Sequence, residues 1–468
     1  MPFHRHDERG RRRKRAGAAL VLSLFFVAGP AARAQEPAPP AAPQTSPTPT
    51  LTLTEALRRA VAANPATETA RSRVSVAEAQ IRQLRSAVLP QVSIDGGATR
   101  NTEEVAFETE DGFRSTILPE NDWNYRLILR QPVYAGGREL KALRQSRLNR
   151  ESATQGVTQS EDVVLLNTAA NYLAVAEGDA LIEVERRNLE LAGRRRKQSQ
   201  AFYEAGEVTR VDVLRADTDM KEVERALALA QQDRDTAASR LRLNLALDGA
   251  AAGAPPPPLT LEPPRLDLPP RPQIEELIRL AQDTRPEVQQ AALALQIAEL
   301  EVAKQRAARL PVVRAEAVYT SQKSTFPSDQ YGSFSLNLNL PIWDSGEISS
   351  RVAQAREQLR QAEIALAERK RLVREDVIQA LVAFETAERS LALAQEQLTA
   401  AQAEYDQSFE LYRAQEATSL DLATSETSLA EARRAVVTST LDRYTAELII
   451  WAAVGNLKDV VLKEEVNP

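Results

Sequence analysis

Between residues 123 and 130 apolar and polar side chains alternate. Trp123, Tyr125, Leu127 and Leu129 are separated by Asn124, Arg126, Ile128 and Arg130. A strand with this pattern has one apolar face and one mostly polar face. The alternation returns more cleanly in Phe334, Leu336, Leu338 and Leu340 against Ser333, Ser335, Asn337 and Asn339. Weaker versions precede each, in Val92, Ile94, Gly96 and Ala98 and in Val313, Ala315, Ala317 and Tyr319. Four strands are expected, at about 91–100, 122–134, 312–321 and 331–343, as two hairpins with loops near Asn101–Asn121 and Gln322–Gln330.

Elsewhere the period lengthens to that of helices. Val377, Phe384, Leu391, Leu398, Tyr405 and Tyr412 fall at heptad spacing, and Ala380, Ala387, Ala394, Ala401 and Ser408 follow three residues after the first five. One large and one small residue per heptad describe a coiled-coil seam in which backbones come close. Leu422, Leu429, Val436 and Ile450 keep the phase on the returning helix, with Arg443 interrupting. Val175, Ile182, Leu189, Arg196 and Tyr203 give a looser version earlier in the chain. Arg138–Tyr203 and Glu347–Tyr412 contain no proline, so each is expected to be one helix of about 100 Å. A shorter helix is expected from Thr54, capped by its hydroxyl and broken at Asn64-Pro65, and another from about Ala66 to Val88, ending before Pro90.

The chain states this order twice. Asn64-Pro65 and Leu89-Pro90 return 221 positions on as Arg285-Pro286 and Leu310-Pro311. Gln131-Pro132-Val133-Tyr134-Ala135-Gly136-Gly137 returns 209 on as Leu340-Pro341-Ile342-Trp343-Asp344-Ser345-Gly346, and Tyr203-Glu204-Ala205-Gly206 with Asp212 returns as Tyr412-Arg413-Ala414-Gln415 with Asp421. The expected organisation is a first repeat at 51–249, a Pro-rich linker at 250–273, a second repeat at 274–455 and a tail at 456–468 with little left to fold.

Composition narrows the chemistry. His4 to Arg15 is strongly basic, Ala16 to Ala28 is apolar, and Ala32-Arg33-Ala34 offers small residues for cleavage before Gln35. Residues 1–34 therefore read as a secretory signal peptide, followed by a Pro-rich tether at 35–50. Of 59 Lys+Arg and 65 Asp+Glu the leader holds 8 and 2, leaving a net charge of −12, which argues against nucleic acid as a partner. There is no cysteine, and both histidines, His4 and His6, lie in the leader. The usual zinc, copper and haem sites and Ser-His or Cys-His nucleophiles are thus excluded from the rest of the chain. No cofactor, metal or enzymatic activity is expected.

The strand pattern has a consequence for assembly. In a membrane no strand edge can stay unpaired, and four strands cannot close a barrel alone. Sister subunits must then complete the wall. An ordinary hairpin on a soluble core would explain the alternation by itself. The leader, the polar second face and the long helices favour the barrel.

The duplicated order of Asn64-Pro65, Leu89-Pro90, Gln131 through Gly137 and Tyr203 through Leu214 resembles the TolC-type outer-membrane efflux channels, over about residues 51–455. The resemblance implies a mostly α fold with a membrane β-barrel. A homotrimer would build a twelve-stranded barrel from four strands per chain, continued by a twelve-helix periplasmic α-barrel. It implies a passive exit duct in the outer membrane of a Gram-negative-type bacterium, set in outer-membrane lipid. The duct would work with a periplasmic adaptor and an inner-membrane pump of RND, ABC or MFS class, in tripartite efflux or type I secretion. The alternative is a periplasmic coiled-coil adaptor or structural protein without a channel. No cysteine is present to carry the N-terminal lipid found in some relatives.

The same resemblance assigns candidate sites. Ala205, Gly206, Glu207 and Val208, with Ala414, Gln415, Glu416 and Ala417, would form the periplasmic tips that meet the adaptor. A helical hairpin turn with Gly206 as cap describes the first equally well, and Gln415 stands where the second is expected to hold glycine. Asp212 and Asp421 would line the narrow mouth, where a ring of carboxylates favours cations. Thr209-x-x-Asp212 and Thr418-x-x-Asp421 also read as capping boxes. Tyr203 and Tyr412 would either hydrogen-bond across helices at the mouth or pack in the seam. No arginine is evident as a latch, because Ala417 fills that place in the second copy. Trp123, Tyr125, Tyr319 and Phe334 are candidates for the lipid interface, where amphipathic rings settle.

Overall fold

The computed structural model describes residues 50–108, 110–112, 114–247, 259–264, 268–324 and 329–462. The expected signal peptide, nearly all of the tether, half of the linker and the last six residues of the tail lie outside the described residues.

The first repeat runs α1 (Leu53–Ala63), α2 (Pro65–Ser86), β1 (Gln91–Arg100), β2 (Val105–Glu108), β3 (Arg114–Leu118), β4 (Asn121–Tyr134), α3 (Arg138–Glu204) and α4 (Arg210–Asn244). The second runs α5 (Ile274–Thr284), α6 (Pro286–Arg306), β5 (Val312–Gln322), β6 (Gln330–Asn339), α7 (Glu347–Arg413) and α8 (Ser419–Val454), and α9 (Leu457–Val461) follows. Both α3 and α7 have 67 residues. Every start in the second repeat is offset from its mate by 221 up to β5 and by 209 from β6 onward.

Local chemistry sets the helix ends. Pro65 and Pro286 open α2 and α6, where a missing N–H costs nothing. The cap of α1 is Thr52, whose hydroxyl accepts from Glu55 N at 3.2 Å, and not Thr54, which lies inside the helix. The tail also departs from expectation. Gly455 ends α8 in the left-handed region, and α9 then buries Leu457 and Val460 against the α1–α3 core. A tail that short still folds because it fills an existing apolar surface.

Four strands form one antiparallel sheet in the order β1-β4-β5-β6. Its register puts Val92 opposite Leu129, Ile94 opposite Leu127 and Ala98 opposite Trp123, with Tyr319 opposite Leu127 and Phe334 opposite Ala317. All the apolar alternates therefore share one face. The other face carries Asp95, Arg126, Arg130 and Glu316, and Arg130 Nε meets Glu316 Oε2 at 2.9 Å across the β4–β5 pair. A bulge between Pro132 and Tyr134 absorbs the proline that cannot donate to the ladder. The segment expected as a plain loop before β4 holds a further hairpin, β2–β3. Its hydrophobic positions (Val105, Phe107, Ile117, Leu118) are too few and too irregularly spaced to show a period.

The helical body packs as the heptads require. Val377, Ala380, Phe384, Ala394, Ala401 and Tyr412 of α7 are buried, as are Leu422, Ser425, Leu429, Ala432 and Ser439 of α8. Burying a leucine such as Leu422 contributes about 2 kcal/mol. The visible part of the linker is strapped to the start of the first repeat. Leu51 N donates to Thr260 O at 3.0 Å, Glu262 N donates to Leu51 O at 3.1 Å, and the Tyr172 hydroxyl lies within hydrogen-bond reach of both Glu262 O, at 2.6 Å, and Leu51 O, at 2.9 Å, with one proton to share between them. No helix among the described residues is long and apolar enough to cross a membrane.

Candidate functional site

The two hairpin turns are built alike. At the end of α3, Gly206 N donates to Tyr203 O at 3.0 Å and Glu207 N to Phe202 O at 2.8 Å; at the end of α7, Gln415 N donates to Tyr412 O at 3.1 Å and Glu416 N to Leu411 O at 2.9 Å. This paired pattern ends a helix when the residue after the cap is left-handed. Ala205 and Ala414 are the caps, and Gly206 (φ +80°) and Gln415 (φ +63°) stand one residue beyond. Within the chain the turns touch, because Gln415 Nε2 donates to Glu207 Oε2 at 2.6 Å. The four tip residues of each turn (Ala205–Val208 and Ala414–Ala417) are exposed except Val208 and Ala417, which are half-buried.

Just past the turns the carboxylates cap the returning helices. Asp212 Oδ2 accepts from Thr209 N at 3.1 Å and Thr209 Oγ1 at 2.7 Å, and Asp421 Oδ2 accepts from Thr418 N at 3.0 Å and Thr418 Oγ1 at 2.7 Å. The threonine hydroxyls come first in holding both carboxyls below their ordinary range. The second oxygens differ. Asp212 Oδ1 accepts from Ser419 Oγ at 2.8 Å, and among the described residues no such bond reaches Asp421 Oδ1.

The tyrosines differ as well. Tyr412 is 3% exposed, with its hydroxyl 3.4 Å from Ser199 Oγ and its ring edge-on to Phe202 at 5.7 Å. Tyr203 is 41% exposed. The shared heptad position therefore does not give a shared environment within one chain.

Above the turns lies a cavity of about 590 Å³ between α3, α4 and α8, lined in part by Asp212, Arg195, Glu426 and Arg434. Arg195 is 5% exposed, bonds Asp219 closely and reaches Glu426 Oε2 at 3.2 Å. Buried Glu185 accepts from Arg434 Nη2 at 3.0 Å. Burial pushes the Glu426 carboxyl up, and Arg195 opposes that shift. The sequence reading missed these ionic links. Arg195 and Glu185 occupy helix faces that a search for apolar heptads discards.

On the apolar sheet face Trp123 and Tyr125 lie 5.5 Å apart, and Tyr125, Tyr319 and Phe334 are exposed. The end of the sheet nearest the long helices carries aromatics that the sequence reading passed over. Trp343 is 86% exposed, Ile342 91% and Tyr134 46%. Their signal was present, since Tyr134 and Trp343 are repeat mates beside Pro132 and Pro341.

The family model for outer membrane efflux proteins matches residues 56–247 and 277–456. Outer membrane efflux protein BepC of Brucella suis biovar 1 is 25% identical over 453 residues, spanning 94% of this chain and 90% of its own. CusC, known in crystal structures that follow transmembrane channel formation, superposes with a TM-score of 0.73 at 16% identity, over 86% of this chain and 91% of its own. The open state of the MtrE outer membrane channel of Neisseria gonorrhoeae gives 0.72 at 18%, over 86% and 89%. At these identities the structural likeness is one of fold.

Proposed function

The chain belongs to the outer membrane efflux protein family, and from that membership we propose that three copies form the exit duct of a tripartite efflux or type I secretion system. It is an outer-membrane efflux channel and not an enzyme. The alternative of an adaptor without a channel gives way to that membership.

One observation carries the finer reading: β1 and β6 are the open edges of a sheet with one continuous apolar face. Unpaired edges cannot face lipid. Three copies would supply twelve strands, and three sets of α3, α4, α7 and α8 would supply the twelve helices of a periplasmic tunnel. Trp123, Tyr125, Tyr319 and Phe334 would then lie toward one membrane interface, with Tyr134 and Trp343 toward the other. The basic and apolar leader would direct export and be removed before Gln35. The tips Ala205–Val208 and Ala414–Ala417 would meet a periplasmic adaptor that joins the duct to an inner-membrane pump. Asp212 and Asp421 would cap their helices and present negative charge to the mouth at once, because the threonine bonds that make each cap favour the ionised carboxylate.

Planar-bilayer recording of the purified chain tests the duct. Discrete conductance steps from a species of trimer mass are expected. A stable monomer with a silent bilayer overturns the reading.

A further inference from the structure

A second cavity, of about 470 Å³, lies where the two repeats meet at the start of α6. Four helices wall it. Asp162, Val163 and Leu166 come from α3, Glu287 from α6, Ala383 from α7 and Ile449 from α8. Val163 is 53% exposed and Ile449 37%, so the cavity is open to solvent. A space of this size takes a small organic molecule.

Its charge is unbalanced. Glu287 Oε1 accepts from Gln159 Nε2 at 3.3 Å, but Glu287 Oε2 is buried and accepts no hydrogen bond among the described residues. Arg285 Nε stands 3.4 Å from that oxygen, and the same guanidinium is committed through Nη1 to Asp376 Oδ2 at 2.6 Å. Asp162 makes no hydrogen bond and no ion pair among the described residues. Of the other charged groups around it, Glu161 is held by Arg71 of α2 at 3.2 Å and by Lys458 of α9 at 2.7 Å, and Asp459 of α9 adds a further negative charge. The cations at this junction are thus already paired, while Asp162 and Glu287 repel each other. Burial, and then Glu287, push the Asp162 carboxyl up to about 6, the response of a carboxylate without a counter-ion.

The fold does not require this arrangement. The mates of Asp162 and Glu287 are Arg371 and Ala66, so the same places in the other repeat carry a cation and a methyl group. Carboxylates kept uncompensated beside apolar walls, at a cost in stability, mark a place where a ligand completes the charge. We propose that this cavity binds an amphipathic organic ammonium ion, with its cationic head between Asp162 and Glu287 and its apolar body against Val163, Leu166, Ala383 and Ile449. A metal ion fits less well. Among the described residues no three acidic groups gather as metal ligands, and the wall beside the two carboxylates is apolar. The site lies within one chain. Its failure would leave the exit duct standing, and a silent bilayer would leave the site standing.

Calorimetric titration of the purified full-length protein in detergent tests the site, with 1-naphthylmethylammonium set against the uncharged 1-naphthylmethanol. The ammonium should bind saturably, once per chain. Its binding should tighten roughly tenfold between about pH 5 and about pH 7, the gain in ionised fraction of a group at about 6. The alcohol should bind roughly ten- to a hundredfold more weakly, for want of a charged hydrogen bond, and without that pH dependence.

Asp162→Asn should bring the ammonium down to the level of the alcohol and flatten its pH profile. The alcohol should bind this variant as it binds wild type, which shows that the cavity is intact. Ala383→Trp, which fills the cavity from an exposed position on α7, should weaken both probes. Equal affinity for the two probes, or an ammonium affinity that survives Asp162→Asn, overturns the proposal. Displacement of the ammonium by equimolar magnesium ion also overturns it, because the site would then be one for a metal.

Discussion

The two repeats share a backbone plan and differ in what they ask of it. Among the described residues, three other than glycine have positive φ: Ala246, Ser345 and Gln415. Each is the mate, 209 positions away, of a glycine with positive φ: Gly455, Gly136 and Gly206. The duplicated fold needs the left-handed region at the same three corners in both copies, and each copy meets the demand with glycine at only some of them. A Cβ in that region is disfavoured by about 1 kcal/mol. The comparison teaches that the helix ends are set by the surrounding packing strongly enough to hold an unfavourable residue. The polar contacts are divided as unevenly. Arg195 is buried between two carboxylates, and its mate Glu404 is exposed.

That last contrast gives the largest expected effect. Arg195→Ala leaves Glu426 buried without its cation and should lower unfolding stability by about 3 kcal/mol. Glu404→Ala should stay within about 0.5 kcal/mol in the same denaturation experiment. Equal losses would mean that the two helices bear load alike.

Next comes the junction between sheet and helix. A Cβ on Gly136 would lie 2.7 Å from Ala307 O, at φ +65°. Gly136→Ala should cost about 2–3 kcal/mol. Ser345→Gly at the mate should be neutral or stabilising, read as thermal midpoint.

Asp162 of α3 has Arg371 as its mate, and burial, with Glu287 and Glu161 beside it, pushes its carboxyl up to about 6. A folded-state pKa above the unfolded value means that the protonated form favours folding. The chain should therefore lose stability as pH rises from about 4 to about 6 and level off beyond. Asp162→Asn should flatten that slope and stabilise the chain at pH 7 by about 1 kcal/mol, allowing for screening. A variant that keeps the wild-type slope would move the cause elsewhere.

The smallest effect is at the tips. Gln415→Gly should stabilise by about 0.5–1 kcal/mol and Gly206→Ala should destabilise by about 1 kcal/mol. If both are silent, the two turns are looser than their matched hydrogen bonds imply.

How much was legible follows from the reach of each interaction. The alternation at Trp123–Leu129 lies in β4 and that at Phe334–Leu338 in β6, because side-chain direction in a strand depends only on position along it. The large and small heptad residues Val377 and Ala380 are buried for the same reason, a period that one helix enforces alone. Thr52 rather than Thr54 as the cap of α1 is a two-residue slip, set by where the chain turns after Leu51 pairs with Leu261. The β2–β3 hairpin and the fold of the tail left no such periodic trace.

The sequence by itself determined the repeated order of elements, their periods and the residue types offered at each corner, since all of these are written in neighbouring positions. Only the tertiary structure decided that Tyr412 is covered while Tyr203 is open, that Arg195 meets Glu426, and that among the described residues Asp212 has a second partner while Asp421 does not. Those differences arise where helices from distant parts of the chain lie side by side. There burial and charge depend on which neighbour arrives, and the local pattern is the same in both repeats.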